Sequence, residues 1–489
     1  MIDKQTKNFF VFLLINLILW SIVPLVRNSL PMDTQEAIIW GRDYLLGTPK
    51  HPPFSGYLAY PFYLLCGKSM FSMYLLSQIC IALGVFYIWR LAKIFVGANK
   101  AVIAAMLQFG IIYYNFSSAE YNVNVVSIAL WPICAFYFWQ AYRYDKWKDW
   151  ILFAVFAAAN ILNKYTGGVL LLALALFVVC DKDARQVIAK PKAYIAGIIA
   201  FCLLIPHLYW LMKTDFVSFD YIVRRSHGGK FSDSLWGHII YPAKFIGAQI
   251  LFTAAAWISY ACFYVKSEKE KITHNKSQTN FVLCCGFVPL IVFLVIAVIN
   301  GEPLKSMWGF PICFMLGIGL FYFAPIKLNT KLYNKFFCTM CGWSVLFALV
   351  YAIQCSVTTS EKFRLDNKKL VQKIEQLWQE ETKGKPLKYI GASEWYADMV
   401  ALYAKEKVLP VYWMDFAANP DLDVRKVYDS GAIIVAADEY EYNLFSERSG
   451  KNLSAPRKIS IEFGNFFGKT KTKEIFYGFY NLKGLKNDR

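Results

Sequence analysis

The sequence has few charged residues for its length. Charged residues make up 18% of the 489 residues, whereas hydrophobic residues make up 57%, and the mean hydropathy is +0.36. Soluble globular domains carry about 25% charged residues. The scarcity of charge argues against a large soluble core, and the abundance of apolar residues predicts a protein with many membrane-spanning helices.

Cysteine is absent from the sequence after Cys355, and no constellation of His, Cys and Asp has the spacing of metal ligands. Cys338-Thr-Met-Cys341 has redox or metal spacing, but it lies in an apolar run without His or carboxylate partners. All twelve cysteines lie within or beside apolar runs. A disulfide framework is therefore not implied, and a metal site has no support in the spacing. No cofactor is firmly predicted, and dependence on a divalent cation is left open.

Apolar runs long enough to cross a bilayer recur along residues 1–356. A crossing of roughly 30 Å of hydrocarbon takes about 18 or more residues at a rise of 1.5 Å per residue. The runs predict eleven spans, at 9–27, 70–92, 101–117, 123–142, 150–163, 166–181, 193–212, 243–265, 280–299, 309–325 and 336–356.

Basic residues test this arrangement, because Lys and Arg collect in short cytoplasmic loops. They occur in alternate loops, for example at 90–100, 143–148 and 182–192. This alternation requires a hairpin at 163–168, and an odd number of spans places the C-terminus outside the cytoplasm. The net charge of +18 is explained by these loops, so no nucleic-acid partner is expected.

From about residue 357 the composition changes to mixed charge with alternating helical and strand patterns. Two domains are predicted: a membrane domain at 1–356 and a small extracytoplasmic α/β domain at 357–489. Strand-like segments lie at 386–391, 408–414, 431–437, 457–463 and 474–482, and a helical run lies at 394–405.

Acidic residues are few in the membrane domain, and the topology places Asp33, Glu36 and Asp43 in the first outer loop, at 28–56. A short surface helix is expected from about 34 to 46, and the three acids would share one of its faces. Asp33 and Glu36 are candidates for a catalytic base. Their spacing is also that of a capping box, in which both acids serve the helix N-terminus. Asp43 is expected to be a solvated surface residue.

Two further outer-loop residues are candidates. His51 precedes Pro52 and Pro53, which can start the next helix, and it could either bond to backbone or orient a phosphate. Glu120 lies at the mouth of the second outer loop and could contact a substrate. The alternative for Glu120 is a capped helix entrance, since Asn122 follows it.

These residues lie in segments that resemble a known family. Asp33-Thr-Gln-Glu-Ala-Ile-Ile-Trp-Gly-Arg42 and Lys50-His-Pro-Pro-Phe-Ser-Gly-Tyr57 resemble the first outer loop of bacterial protein mannosyltransferase-like glycosyltransferases (family 39). These are GT-C-fold enzymes related to the aminoarabinose transferase of lipid A. Further matches are Tyr121-Asn-Val-Asn124, Asn163-Lys-Tyr-Thr166, Pro206-His-Leu-Tyr-Trp210, Lys305-Ser-Met-Trp-Gly-Phe-Pro311 and Tyr396-Ala-Asp-Met-Val-Ala-Leu-Tyr403.

The resemblance implies a polyprenyl-phosphate sugar as donor and maps the base to Asp33. Thr34 stands where the family often has a second acid, so whether Glu36 substitutes for it is open. His51 stands at a position where relatives often have a Lys or His that faces the donor phosphate. A leaving lipid phosphate needs cations on the outer side. Arg224, Arg225 and Lys305 are available, and their alternative role is contact with anionic headgroups.

The function expected from the sequence is transfer of a sugar from a polyprenyl-phosphate carrier to a cell-envelope acceptor. The acceptor would be lipid A or lipopolysaccharide, another glycan or a protein, and transfer would occur on the outer face of a bacterial inner membrane. The alternative is a polytopic transporter or lipid flippase. A transporter should carry ionisable residues or paired helix breaks at mid-membrane, whereas the acids here cluster at the surfaces. A non-catalytic membrane scaffold is a further alternative.

Overall fold

The computed structural model describes residues 4–226, 228–232 and 234–482. Within these residues the chain is mainly helical and carries one five-stranded sheet. The helices are α1 Lys4–Ile22, α2 Met32–Arg42, α3 Phe54–Leu65, α4 Met70–Val96, α5 Ala98–Met106, α6 Val123–Tyr144, α7 Trp147–Asn163, α8 Gly167–Cys180, α9 Lys182–Ile188, α10 Pro191–Lys213, α11 Val217–Ser226, α12 Gly237–Val265, α13 Lys276–Asn300, α14 Leu316–Phe323, α15 Thr330–Val357, α16 Glu361–Arg364, α17 Asn367–Thr382, α18 Glu394–Tyr403, α19 Val424–Ser430 and α20 Glu439–Ser449. The strands are β1 Tyr389–Ala392, β2 Leu409–Tyr412, β3 Ala432–Ala436, β4 Arg457–Gly464 and β5 Thr470–Tyr480.

The described chain divides into two compact units. The first unit contains residues up to 23, 46–55 and 73–351, and the second contains 24–45, 56–72 and the residues from 352 onward. The expected boundary at residue 357 lies close to the last of these divisions. The surface helix of the first outer loop, expected in the membrane domain, belongs instead to the second unit.

Eight helices in the described part of the chain are long and apolar enough to cross a membrane. They coincide with eight of the eleven predicted spans. The expected span at 101–117 is a pair of helical segments, 98–110 and 112–119, bent by 89° at the break, which would make nine if the pair is one span. The two remaining predicted spans form α7 and the 14-residue α8, separated by a short turn at 164–166.

Asn115 explains why the chain tolerates the break between 98–110 and 112–119. Its Nδ2 donates to the carbonyl oxygens of Phe109 at 3.0 Å and Ile111 at 2.8 Å. A helix break in an apolar environment is costly unless another group bonds to the freed backbone. The Asn115 amide supplies donors for this purpose.

The second unit contains the α/β domain that the sequence predicts. The strand order is β2-β1-β3-β5-β4, with β1 parallel to β2 and β3, and with β5 antiparallel to β3 and β4. Helices α17 and α18 pack on one face of the sheet, where Trp378, Val400, Ile390 and Ile433 are buried. All five strand-like segments of the sequence form strands, which confirms the small C-terminal sheet domain.

Candidate functional site

The surface helix of the first outer loop begins two residues earlier than expected and has no side-chain cap. α2 starts at Met32, and its N-cap is Pro31, which makes no side-chain capping bond. The capping-box alternative for Asp33 and Glu36 is therefore wrong. Asp33 lies in the first turn, where its negative charge is favoured by the positive end of the helix dipole.

The C-terminal end of α2 is bonded to the α/β domain. Arg42 donates through Nη1 to the Ala401 carbonyl at 2.5 Å and through Nη2 to the Val408 carbonyl at 3.0 Å. Asp43 accepts from Arg42 at 3.0 Å and pairs with Lys407 at 2.9 Å, and its side chain is only 13% exposed. The expectation that Asp43 is a solvated surface residue is therefore wrong. These contacts hold the helix that carries Asp33 against the α/β domain.

Asp33 and Glu36 lie in different environments. Asp33 is partly exposed, whereas Glu36 is 3% exposed and near enough to Tyr412 for its charge to act on that phenol. The Tyr412 hydroxyl donates to Asp398 Oδ1 at 2.5 Å. Burial, and the negative charges of Asp398, Glu36 and Glu394, raise the pKa of Tyr412 well above its usual value, so the phenol stays protonated. Glu36 is thus a buried acid near Tyr412 of the α/β domain, while Asp33 is partly exposed.

The second half of the first outer loop belongs to the first unit and is fixed by several hydrogen bonds. Thr48 Oγ1 donates to the His51 carbonyl at 2.9 Å and accepts from the His51 amide at 3.0 Å. Ser218 Oγ donates to the Thr48 carbonyl at 2.8 Å, and His207 Nδ1 lies 2.8 Å from the Leu46 carbonyl oxygen. Helix α3 then begins at Phe54, directly after the two prolines, as predicted. The loop therefore presents the His51 ring from a rigid backbone.

Two lysines accompany His51, and the sequence analysis missed both as site residues. Lys164, in the turn between α7 and α8, is 7% exposed, and its Nζ donates to Asn124 Oδ1 at 2.6 Å. Burial, together with the positive charges of Lys164 and Lys50, lowers the pKa of His51 well below its usual value. The imidazole is therefore neutral at pH 7. Lysine and histidine side chains are groups that commonly bind phosphate oxygens in proteins.

Signals for both lysines were present in the sequence. Lys164 is a basic residue in a hairpin turn that the charge pattern places on the outer side, flanked by two apolar runs. Lys50 lies directly before His51 in the quoted motif. Neither signal identifies the neighbours of the lysine, which depend on how α6, α7 and the first outer loop pack.

The second outer loop meets the His51 loop next to Glu120. Tyr121 donates its hydroxyl to the Ser55 carbonyl at 2.8 Å. Asn122 caps α6 by accepting from the backbone amides of Asn124 and Val125 at 2.9 and 3.2 Å. The alternative of a capped helix entrance is therefore correct for Asn122. Glu120 is a partly buried residue beside this cap.

Lys305 precedes a 3₁₀ turn, Ser306–Gly309, that reaches the same region. Asn124 Nδ2 lies 3.7 Å from Met307 Sδ, so the turn adjoins the residue that accepts from Lys164. The Ser306 carbonyl accepts from the Tyr113 hydroxyl at 2.7 Å. Lys305 is partly buried at the start of this turn.

Arg224 and Arg225 occupy a different position. Both are exposed at the C-terminal end of α11, about two helical turns beyond Ser218, which contacts the His51 loop. Lys50 and Lys164, which lie near His51, are called the lysine cluster below. The structure brings the loops of Glu120 and Lys305 next to this cluster, and it leaves the two arginines on an exposed helix end.

An apolar groove of about 660 Å³ lies between α12, α13 and α14 in the first unit. Gln249 lies in this groove, and its Nε2 donates to the Ser306 carbonyl at 3.2 Å. The rest of the lining is almost entirely apolar and includes Phe287, Leu290 and Leu316. The groove therefore adjoins the 3₁₀ turn that contacts Asn124.

Among the described residues, no three or more His, Cys, Asp or Glu side chains are grouped so that they could hold a metal ion. The positive charges that act on His51 are those of Lys50 and Lys164.

Comparisons with known proteins give a consistent result. Residues 50–210 match the family model described as dolichyl-phosphate-mannose-protein mannosyltransferase. The lipopolysaccharide core galacturonosyltransferase RgtB of Rhizobium johnstonii is 20% identical over 295 residues, which span 59% of this chain and 59% of RgtB.

Two solved structures of ArnT from Cupriavidus metallidurans share the fold. The structure bound to undecaprenyl phosphate has a TM-score of 0.63 at 12% identity and covers 97% of this chain and 98% of its own. The apo structure has the same score and identity and covers 99% of each chain. The resemblance stated from the sequence and the expected fold class are confirmed.

Proposed function

We propose that this chain, which is related to the GT-C membrane glycosyltransferases ArnT and RgtB, transfers a sugar from a polyprenyl-phosphate donor to a glycolipid of the cell envelope. The carrying observation is the cluster of Lys50, His51 and Lys164, next to a loop that adjoins an apolar groove. A polyprenyl-phosphate sugar combines an anionic phosphate with a long apolar tail, and these two features fit the two parts of the site.

The phosphate is assigned to the lysine cluster. Lys164 is buried and already oriented by Asn124, so little conformational entropy is lost when it binds an anion. His51 is neutral without a ligand and would gain a proton beside a phosphate, because the negative charge raises its pKa. Lys305 is proposed as an additional cation from the adjoining turn. Arg224 and Arg225 are assigned to lipid headgroups rather than to the donor, because both are exposed.

The polyprenyl tail is assigned to the groove between α12, α13 and α14. Three contacts link the two parts in order: Gln249 of the groove bonds to the Ser306 carbonyl, Met307 follows in the same turn, and Asn124 contacts both Met307 and Lys164. A prenyl chain buries apolar surface along the groove, while its phosphate stays at the polar end.

The reaction follows from these assignments. An acceptor hydroxyl attacks the anomeric carbon, and the bond between that carbon and the phosphate oxygen breaks with inversion. Asp33 takes the hydroxyl proton as general base, since its side chain is partly exposed, whereas the side chain of Glu36 is buried. The leaving lipid phosphate gains negative charge, which Lys50, Lys164 and protonated His51 stabilise. Glu120 is proposed to contact the acceptor or the donor sugar.

The location and acceptor are part of the proposal. RgtB acts, by its name, on the lipopolysaccharide core. A lipopolysaccharide-type glycolipid is therefore the first acceptor class to test. The charge pattern of the loops supports a multi-pass protein of the bacterial inner membrane whose site and α/β domain face away from the cytoplasm.

The test uses purified full-length protein in nanodiscs. The protein is incubated with a panel of undecaprenyl-phosphate sugars, including a uronic acid and an amino sugar, and with a lipopolysaccharide core acceptor. Mass spectrometry then measures free undecaprenyl phosphate and the gain in acceptor mass. Equal and coupled appearance of both products supports the proposal, and no turnover with any donor contradicts it.

Asp33→Asn tests the base, and Asp43→Asn, at the opposite end of the same helix, is its matched control. We expect Asp33→Asn to abolish transfer while binding of undecaprenyl phosphate persists, because the phosphate is assigned elsewhere. Asp43→Asn should lower thermal stability, because it weakens pairs with Arg42 and Lys407, but it should retain transfer. Full activity of Asp33→Asn would overturn its assignment.

A further inference from the structure

The hairpin between β4 and β5 carries two exposed phenylalanines at its tip. Phe466 is 65% exposed and Phe467 is 75% exposed. Two neighbouring phenylalanines with this much exposure are unusual on a surface that faces water, because burial of an aromatic ring is strongly favourable. Such a pair indicates a surface that contacts a membrane or a protein. Lys469 and Lys471 follow them and are also exposed.

The tip is held rigidly rather than left as a loose loop. Asn465 Oδ1 accepts from the backbone amides of Phe467 and Lys469, both at 3.0 Å. The backbone amide of Asn465 donates to the Lys469 carbonyl at 3.0 Å. Gly468 supplies the positive φ of 80° that closes the turn. The two rings are therefore presented outward by a fixed backbone.

The hairpin is bonded to the final turn of α15, the last membrane-spanning helix. Asn465 Nδ2 donates to the Val357 carbonyl at 2.8 Å, and the Phe466 amide donates to the Ser356 carbonyl at 3.3 Å. The Arg364 guanidinium lies 4.4 Å from the centre of the Phe466 ring and donates to the Cys355 carbonyl in the same turn. The tip thus sits beside the end of a transmembrane helix.

The lipid-facing surface of α15 continues to this final turn. Leu349, Ile353 and Val357 are 55%, 61% and 50% exposed, and they recur four residues apart along one side of the helix. A stripe of exposed apolar residues on a membrane-spanning helix faces the acyl chains. The stripe reaches Val357, to which Asn465 of the hairpin is bonded, so the hairpin lies where the exposed apolar side of this helix ends.

We propose that the hairpin tip inserts Phe466 and Phe467 into the bilayer and anchors the α/β domain to the membrane surface. The occupant of this surface is phospholipid: the rings enter the boundary of the acyl chains, and Lys469 and Lys471 extend to the headgroup phosphates. This role does not depend on the proposed glycosyltransferase activity.

The test places a photoreactive aromatic residue at the tip of the full-length protein. Phe467→benzoylphenylalanine keeps an aromatic ring at this position, and Tyr440→benzoylphenylalanine is the matched control, because Tyr440 is 81% exposed on α20. Both variants are placed in nanodiscs of phosphatidylethanolamine and phosphatidylglycerol and irradiated, and covalent phospholipid adducts are identified by mass spectrometry after proteolysis.

We expect phospholipid adducts at position 467 and none at position 440, with unchanged thermal unfolding in both variants. Absence of lipid adducts at 467 would overturn the proposal. Cross-linking of 467 to a second copy of the chain, in place of lipid, would also overturn it and would identify the tip as a protein contact.

Discussion

Replacing Lys164 by methionine removes the buried cation of the proposed phosphate site and keeps nearly the same side-chain length. Lys164 is 7% exposed, and its Nζ is held at 2.6 Å from Asn124 Oδ1. A hydrogen bond to a charged group contributes about 1.5–3 kcal/mol. Since 1.4 kcal/mol corresponds to a tenfold change in affinity, we expect Lys164→Met to weaken binding of undecaprenyl phosphate by about 10- to 100-fold.

The same substitution changes His51 in a predictable direction. Lys164 is one of the charges that lower the pKa of His51, so its removal should raise that pKa, although burial still opposes protonation. The loss of affinity for undecaprenyl phosphate, compared with the wild type, should therefore be smaller in mildly acidic buffer than in alkaline buffer. Native mass spectrometry of the protein with undecaprenyl phosphate measures the affinity at each pH.

Lys100→Met is the control for loss of a buried lysine. Lys100 is 8% exposed and pairs with Glu270 at 2.6 Å in the first unit. We expect the Lys100→Met variant to lose about as much stability as Lys164→Met and to keep its affinity for undecaprenyl phosphate. Lys164→Met combined with Asn124→Leu avoids leaving the amide oxygen without its donor, should the single variant fold poorly. Wild-type affinity in folded Lys164→Met, or an equal loss in Lys100→Met, would refute the assignment.

Other consequences can be measured separately. Arg42→Met should lower the unfolding midpoint and the kcat of transfer while donor KM stays unchanged, because Arg42 ties the helix of the proposed base to two carbonyls of the α/β domain; equal kcat would contradict this. Gly41→Ala should destabilise by about 1–3 kcal/mol, since a Cβ there would meet the Gly56 backbone at 2.0 Å, whereas Gly197→Ala in open space should be neutral or stabilising. Affinity for undecaprenyl phosphate should rise as the pH falls from about 8 to 6, because the bound phosphate raises the pKa of His51 and the imidazole takes up a proton in the complex. His51→Gln should lose this part of the pH dependence. Transfer should persist in EDTA if protein cations alone meet the phosphate charge; loss of activity that magnesium restores would show a required metal.

The sequence determined the features that depend on local pattern. Apolar runs are long enough to be recognised one by one, and eight of them form long membrane-spanning helices. The strands of the α/β domain were found because alternation and turn residues repeat over a few positions. The start of α3 followed from Pro52 and Pro53, since proline restricts its own φ wherever it occurs.

Other features depended on residues far apart in the chain, and only the tertiary structure decided them. The sequence shows Lys164 in a turn, but its place beside Asn124 and near His51 results from packing of α6 and α7 with the first outer loop. The sequence offered Asp33 and Glu36 as candidates for the base, with Asp33 favoured by the resemblance, but it did not show that Glu36 is buried near Tyr412, more than 350 residues away, whereas Asp33 is partly exposed. The burial and charge of a side chain depend on all its neighbours in space, and one chain read by local periodicity does not specify which distant residues those are.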